Sequence, residues 1–143
     1  KTIQLLPNLL AKQAAKAKGA YEAWLIDRDG KVTEGSSSNA WILTDGGKLV
    51  TRDLSHALLP GITRTAVLKL AARRQIGIEE RAFSIEEAKA AREAFITSAG
   101  TFVMPVVSID GALVGDGRPG PVAAQLRADY LHAAVAEARQ KVH

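Results

Sequence analysis

Two side chains in the amino-terminal quarter of the sequence have the chemistry to hold an aldehyde cofactor. Lys1 comes just before a segment that is predicted as helix, and Glu34 lies in a Gly/Ser-rich turn after a predicted strand, in residues 33–39 (TEGSSSN). A lysine amine can form a Schiff base with an aldehyde, and a carboxylate can keep a ring nitrogen protonated. The pair therefore predicts a site for an aromatic aldehyde, with Lys1 as the nucleophile.

Each of these residues also has an ordinary explanation. A single lysine is usually a solvated surface charge, because its amine becomes nucleophilic only when burial or a neighbouring positive charge lowers its pKa. Glu34 is equally consistent with an exposed acid at the end of a hairpin, and the polar residues after it with a simple turn. In the cofactor interpretation, the serines of this turn, together with the amides of Ser38 and Asn39, form a hydrogen-bonding wall around the carboxylate.

A second segment predicts an anion site. In residues 59–64 (LPGITR), Gly61 gives the backbone freedom and Thr63 lies where a helix is expected to begin. The first amides of a helix have no acceptor within it, and the positive end of the helix dipole lies behind them, so a helix start attracts anions. Plain capping of the helix explains the same residues.

The third candidate is the small polar segment over residues 97–101 (TSAGT), which joins two apolar strands. Small residues let a ligand approach the backbone, and the free amides and hydroxyls there could hold oxygen atoms. A tight strand connection without a ligand fits this segment equally well. Taken together, an amine, an acid for a ring nitrogen, a helix start for a phosphate and a small polar loop are what a phosphorylated pyridine aldehyde needs.

Composition indicates one globular domain with a core, because 47% of the 143 residues are apolar and 24% are charged. There is no cysteine, and the three histidines lack metal-ligand spacing, so we predict no disulfide and no metal site. The net charge is +4, and many of the basic residues lie in predicted helices without interleaved aromatics. This pattern favours solvated helix faces over a nucleic-acid surface. No segment resembles a membrane span or a secretory signal, so we expect a cytoplasmic protein without a membrane partner.

The candidate residues are placed by a predicted α+β fold with a mostly antiparallel or mixed sheet. A helix over residues 7–18 is followed by a hairpin that turns at Asp27–Gly30 and carries Glu34 to its far end. A second hairpin pairs residues 40–44 with residues 48–51. The other predicted elements are a helix over 64–75, a strand over 77–82, a helix near 85–90 capped by Ser84, strands over 94–97 and 102–109, a short hairpin to 112–114, a loop over 115–121 and a helix over 122–138.

Five segments, in order along the chain, resemble the fold-type IV pyridoxal-phosphate enzymes. The D-amino acid aminotransferases are the most similar, and branched-chain aminotransferases and aminodeoxychorismate lyases are related to them. The resemblance implies that residues 1–143 are the large cofactor-binding domain of this fold, a mixed sheet or pseudo-barrel with surrounding helices. The segments run from residue 1 to about residue 122: KTIQLLPNLLAKQAAKAKGAYEAWL, VTEGSSSNAWIL, LLPGITR, EAFITSAGTFVMPV and IDGALVGDGRPGPV.

The resemblance also implies roles for individual residues. Lys1 falls at the position of the Schiff-base lysine, which moves a proton between Cα and the C4′ atom of the cofactor. Glu34 falls at the acid that pairs with the pyridine nitrogen and keeps the ring an electron sink. The other implied cofactor-binding residues are Leu59, which packs on the ring, Gly61, Ile62 and Thr63 at the phosphate-binding helix start, Ser98, Ala99 and Gly100 near the phosphate and the substrate carboxylate, and Ser37 and Ser38 beside the ring acid.

Two departures from the family pattern affect these expectations. In the family, a smaller domain precedes the lysine and contributes an arginine to the phosphate and much of the substrate-carboxylate pocket. We therefore expect the chain to be a piece of a longer protein or to act with a companion chain. In addition, Ala99 and Gly100 stand where many relatives have a threonine, which leaves the phosphate more dependent on backbone amides.

The function implied by the resemblance is pyridoxal-phosphate-dependent transamination between a D-amino acid and a 2-oxo acid, in two half-reactions, by a homodimer. The segments EGSSSN and LLPNLLAKQAA favour the D-type. Alternatives on the same fold are a branched-chain L-amino acid aminotransferase and an aminodeoxychorismate lyase, and an isolated fragment would be non-catalytic. The sequence leaves open the stereochemistry, the side-chain specificity, the oligomeric state and the reason why the chain begins at Lys1.

Overall fold

The computed structural model describes residues 24–35, 38–52 and 62–142. The predicted helix over residues 7–18 and the candidate site residues Lys1, Ser37, Leu59 and Gly61 lie outside the described residues. In chain order, the described elements are β1 (Trp24–Ile26), β2 (Lys31–Gly35), β3 (Asn39–Leu43), β4 (Leu49–Thr51), α1 (Ile62–Arg73), β5 (Ile78–Glu80), β6 (Phe83–Ser84), α2 (Ile85–Lys89), β7 (Glu93–Ser98), β8 (Phe102–Val106), β9 (Ser108–Ile109), β10 (Ala112–Leu113) and α3 (Pro121–Val142).

The central sheet has five strands in the order β5-β4-β3-β7-β8. Its neighbours are antiparallel except β4 and β5, which run parallel. A three-stranded sheet, β1-β2-β6, and the short hairpin of β9 and β10 complete the described strands, which form no closed barrel. The mixed sheet and its helices confirm the predicted α+β class. The structure also confirms the three predicted hairpins, from β1 to β2, from β3 to β4 and from β9 to β10.

Strand β3 lies at the centre of the fold because every one of its side chains is buried. Ala40 and Ile42 belong to the apolar cluster that contains the β1-β2-β6 sheet and α2. Trp41 and Leu43 belong to the opposite cluster, which contains α1 and α3. The ring of Trp41 stacks on its cross-strand neighbour Phe95 at a centroid distance of 5.4 Å. The continuous apolar run of β3 thus reflects a strand that is covered on both faces.

The helices agree with their predicted positions and differ at their ends. Val67 and Ala71 are buried, which confirms the inward stripe of α1, but this helix begins at Ile62 rather than at residue 64. Ile62 and Thr63 therefore belong to its first turn. Helix α3 begins at Pro121, a favoured residue at the first helical position, and continues to Val142 instead of ending near residue 138. The predicted cap of α2 is confirmed, since Oγ of Ser84 accepts a hydrogen bond from the Glu87 amide at 3.1 Å.

The predicted strand over residues 102–109 is wrong as one element, because it is divided into β8 and β9 at Val107. The Val107 carbonyl accepts a hydrogen bond from the Val114 amide at 2.9 Å, in the hairpin that leads away from the sheet. The apolar run over residues 102–109 also predicts a buried strand, and this prediction is wrong for most of β8. Within β8 only Val103 is buried, because β8 lies at the edge of the five-stranded sheet.

Helix α3 is attached to the sheet by a buried carboxylate. The Glu93 side chain is buried, and its two oxygens accept hydrogen bonds from the amides of Val122 at 3.1 Å and Ala123 at 2.9 Å. These amides belong to the first turn of α3, where no acceptor exists within the helix. Glu93 thus caps a helix that begins almost thirty positions later, and it does so from the strand that ends at Ser98.

Candidate functional site

The candidate residues that the structure describes meet at one end of the five-stranded sheet. Asn39, the first residue of β3, pairs with Thr97 of β7, so that Ser38 and Ser98 come to the same edge. Glu34 lies within β2 as its penultimate residue, rather than in a turn after the strand, and Ser38 directly precedes β3. The first turn of α1 lies at this edge too. The segments around Thr63 and Ser98 are therefore adjacent at this edge, where β3 begins five residues after Glu34.

A hydrogen bond joins the start of α1 to the end of β7. The Oγ1 atom of Thr63 donates to the carbonyl of Ser98 at 3.2 Å, and the Thr63 side chain is buried. A threonine hydroxyl has one hydrogen, and here it is directed to Ser98. Thr63 can consequently donate to a ligand through its backbone amide, which lies in the first turn of the helix. Ile62, the residue before it, is 88% exposed at the same edge.

Residues 98–101 form the turn between β7 and β8, which we call the Ser98–Thr101 turn. The hydroxyls of this turn form hydrogen bonds within it. Oγ of Ser98 lies 2.6 Å from Oγ1 of Thr101 and accepts a hydrogen bond from the Thr101 amide at 3.0 Å. Ala99 and Gly100 are exposed, and within residues 24–35, 38–52 and 62–142 their amides make no hydrogen bond. At its exposed tip the turn therefore presents backbone amides rather than hydroxyls.

A buried arginine lies in the first turn of α1, and sequence reasoning assigned it no role. Arg64 is only 2% exposed; its Nη2 atom donates to the carbonyl of Arg52 at 2.8 Å and lies 3.5 Å from a carboxylate oxygen of Glu80. Its charge adds to the positive end of the helix dipole at the predicted anion site. The signal that could have found it is its position directly after Ile62 and Thr63, although arginine is rarely buried.

Arg52, whose carbonyl binds Arg64, also forms an ion pair through its side chain. Nη1 of Arg52 lies 2.6 Å from Oδ2 of Asp27, in the turn between β1 and β2. The pKa of the Asp27 carboxyl lies below its ordinary value because the backbone amide of Lys31 donates to it, and because Arg52 binds it. This ion pair connects the first hairpin to the end of β4, next to the first turn of α1.

Residues 24–35, 38–52 and 62–142 contain neither a cluster of metal-ligating side chains nor a membrane-spanning helix. No group of three or more His, Cys, Asp or Glu side chains could hold a metal ion in this part of the chain. Among the helices described there, none combines the length and apolar character needed to cross a membrane.

We expect the Thr63→Val variant to lose about 1 kcal/mol of unfolding free energy, because valine has nearly the same shape but cannot donate to the Ser98 carbonyl. The Thr63→Ser variant keeps the hydroxyl and should retain most of this contribution. Urea denaturation of the three proteins measures the difference. If the valine variant were as stable as the original protein, the link between α1 and the Ser98–Thr101 turn would contribute nothing.

Comparison with known proteins identifies the family of this architecture. The family model described as Amino-transferase class IV matches residues 1–109. D-alanine aminotransferase of Bacillus licheniformis is 39% identical over 142 residues, which is 99% of this chain and 50% of that protein. D-alanine aminotransferase of Staphylococcus haemolyticus is 39% identical over 130 residues, or 91% of this chain and 45% of that protein. The chain thus spans about half the length of the curated relatives it matches.

Solved structures of the same family share the fold. The branched-chain amino acid aminotransferase from Escherichia coli has a TM-score of 0.85 and 35% identity over 89% of this chain and 43% of that one. The enzyme from Thermobaculum terrenum, in its PLP form, has a TM-score of 0.85 and 33% identity over 90% of this chain and 42% of that one. With most of its residues matched by the family model, the chain belongs to the class IV aminotransferases.

Proposed function

We propose that this chain is the cofactor-binding part of a pyridoxal-phosphate-dependent aminotransferase, with residues 1–143 forming that domain. The observation that carries the proposal is the hydrogen bond from Thr63 to the Ser98 carbonyl. It joins the helix start and the small polar turn that were expected to share one anion. Family membership and the structural neighbour solved in its PLP form support the same cofactor.

The described residues fit a phosphate group. The first amides of α1, around Ile62 and Thr63, have no acceptor within the helix and lie at its positive end. Ala99 and Gly100 add exposed amides from the adjacent turn, and Arg64 adds a buried positive charge from the first turn of α1. When bound, pyridoxal phosphate supplies an electron sink that stabilises negative charge developing on the substrate carbon.

The chain's own residues would bind and orient that ring. In this proposal the Lys1 amine would hold the cofactor through its aldehyde and, when free of it, would move a proton between the substrate Cα and the C4′ atom of the cofactor. Glu34 keeps the ring nitrogen protonated. The proposed supporting residues are Leu59 against the ring, Gly61 before the helix start, and Ser37 and Ser38 beside the Glu34 carboxylate.

The proposed substrates are a D-amino acid and a 2-oxo acid. Both relatives described above are D-alanine aminotransferases. The second candidate is a branched-chain L-amino acid aminotransferase, which is favoured by the names of the structural neighbours. The proposal further includes a homodimer in the cytoplasm, in which the remaining part of each site is supplied by residues beyond this chain.

Paired assays of the protein at its full natural length decide between the two candidates. Each reaction contains 2-oxoglutarate and either D-alanine or L-leucine as the amine donor, and the formation of pyruvate or of the leucine-derived 2-oxo acid is followed. We expect kcat/KM to be higher for D-alanine. A preference for L-leucine would assign the branched-chain activity, and turnover of neither donor would count against an aminotransferase of either type.

A further inference from the structure

Helix α3 holds the Ser98–Thr101 turn from its outer side. The Nη1 atom of Arg127 donates to the carbonyl of Thr101 and to the carbonyl of Val103, each at 2.8 Å. One guanidinium nitrogen carries two hydrogens, so both are used in these bonds. The two carbonyls belong to residues on either side of Phe102, and Arg127 therefore holds the backbone both before and after that residue.

Phe102 has a backbone conformation that a phenylalanine rarely adopts. Its φ angle is +59°, in the left-handed region, which is strained for a residue with a Cβ atom. Its ring lies against Tyr130 of α3, with the ring centroids 5.3 Å apart. Strained residues persist where the surrounding structure holds them, and they cluster at functional sites. Here the surrounding contacts come from α3, through Arg127 and Tyr130.

The same turn is held from two other directions. Inside it, the hydroxyls of Ser98 and Thr101 lie 2.6 Å apart, and on the side of α1 the Thr63 hydroxyl donates to the Ser98 carbonyl. What remains exposed is its tip, Ala99 and Gly100. A turn that is fixed on three sides keeps these two amides in one arrangement, which is the preorganisation that anion recognition by backbone amides requires.

Arg127 also covers an edge strand, and this ordinary role has to be separated from a functional one. β8 continues to Val106, yet the two carbonyls that Arg127 binds are those flanking the strained Phe102 next to the turn. We propose that Arg127 is a positioning residue which, together with Tyr130, holds the Ser98–Thr101 turn in the arrangement that binds the cofactor phosphate. This inference rests on the proposed function, because it assigns the phosphate to the anion at this turn.

The test compares two probes, pyridoxal phosphate and pyridoxal, which has the same aldehyde and ring without the phosphate. Both are titrated by absorption into the protein at its full natural length and into the Arg127→Met, Arg127→Lys and Arg139→Met variants. Arg139 is an exposed arginine of the same helix and provides the matched control. We expect Arg127→Met to bind pyridoxal phosphate about tenfold more weakly while its affinity for pyridoxal is unchanged. Lysine at position 127 should restore part of the loss, and Arg139→Met should behave like the original protein.

Each of the following results would overturn the inference. An equal loss of affinity for both probes would show a general structural role for Arg127, and unchanged affinity for pyridoxal phosphate would show no role at this site. If Arg127→Met does not fold, the same comparison is made with Arg127→Lys. An equal loss of affinity for pyridoxal phosphate and for pyridoxal in that variant would also contradict the inference. Failure of the unsubstituted protein to bind pyridoxal phosphate would instead reject the proposed function, and the inference with it.

Discussion

Replacement of Lys1 by alanine should lower kcat of the protein at its full natural length by at least about 10³-fold, since proton transfer by one positioned side chain contributes about 10²–10⁴-fold by itself. In the proposed function, Lys1 also supplies the amine that bonds to the cofactor aldehyde. The variant should accordingly lose the visible absorption band of the enzyme-bound cofactor. Steady-state assays and absorption spectra of the same samples measure both effects.

The matched control for this variant is Lys69→Ala. Lys69 is an exposed lysine on α1, and its removal changes the net charge by the same amount. The control should keep both the band and the turnover. Survival of the band and of turnover in Lys1→Ala would show that another amine holds the cofactor, and the assignment of Lys1 would be wrong.

The second large effect concerns stability and comes from Glu93. The Glu93→Ala variant should lose about 3 kcal/mol of unfolding free energy, because two hydrogen bonds to the carboxyl group disappear and leave the Val122 and Ala123 amides without their acceptor. The carboxylate also stabilises the positive end of α3. Chemical denaturation measures the loss. Glu86→Ala, which removes an exposed acid in the first turn of α2, is the control and should cost less than about 1 kcal/mol.

Gly120 offers an independent check on this cap. A Cβ atom added at Gly120 would clash with the Glu93 side chain, which cannot move away without giving up its bonds to α3. Gly120→Ala should therefore destabilise the protein by an amount similar to that of Glu93→Ala. The double variant should be little worse than either single one, since all three disrupt the same contact. Additive losses would contradict the description of Glu93 as the cap of α3.

Features that depend on neighbouring residues were predictable from the sequence. The turns at Asp27–Gly30 and around Gly47 contain glycines with φ angles of +76° and +83°, a conformation that glycine adopts without strain. The cap at Ser84 and the apolar stripe of α1 follow equally from local spacing. Because each of these depends on residues within one or two turns of each other, pattern alone was sufficient to place them.

Features that depend on distant residues were not predictable in this way. Glu93 caps α3 across 29 positions, and Arg127 reaches back 26 positions to Thr101. The parallel pairing of β4 with β5 and the division of residues 102–109 at Val107 likewise depend on neighbours that only the folded chain supplies. Arg64 was missed for a different reason: arginine is rarely buried, so composition places it on the surface.

For the candidate site, local sequence patterns identified the individual segments but did not predict that they lie next to each other. Residues 59–64 and 97–101 each had an ordinary explanation as a helix cap and a strand connection. The resemblance to a known family predicted that they share one anion, and the bond from Thr63 to Ser98 places them side by side. The roles of Lys1 and of the Glu34 carboxylate stay predictions.

The measurement that tests the account most directly is the location of the covalent bond to pyridoxal phosphate. The protein at its full natural length is incubated with the cofactor, reduced with borohydride to convert an amine–aldehyde bond into a stable secondary amine, digested, and mapped by mass spectrometry. If Lys1 is the Schiff-base lysine, the phosphopyridoxyl group will be found on Lys1 itself, in the peptide that contains it. Its presence on a different lysine, or the absence of any adduct under conditions that label a known pyridoxal-phosphate enzyme, would contradict this assignment.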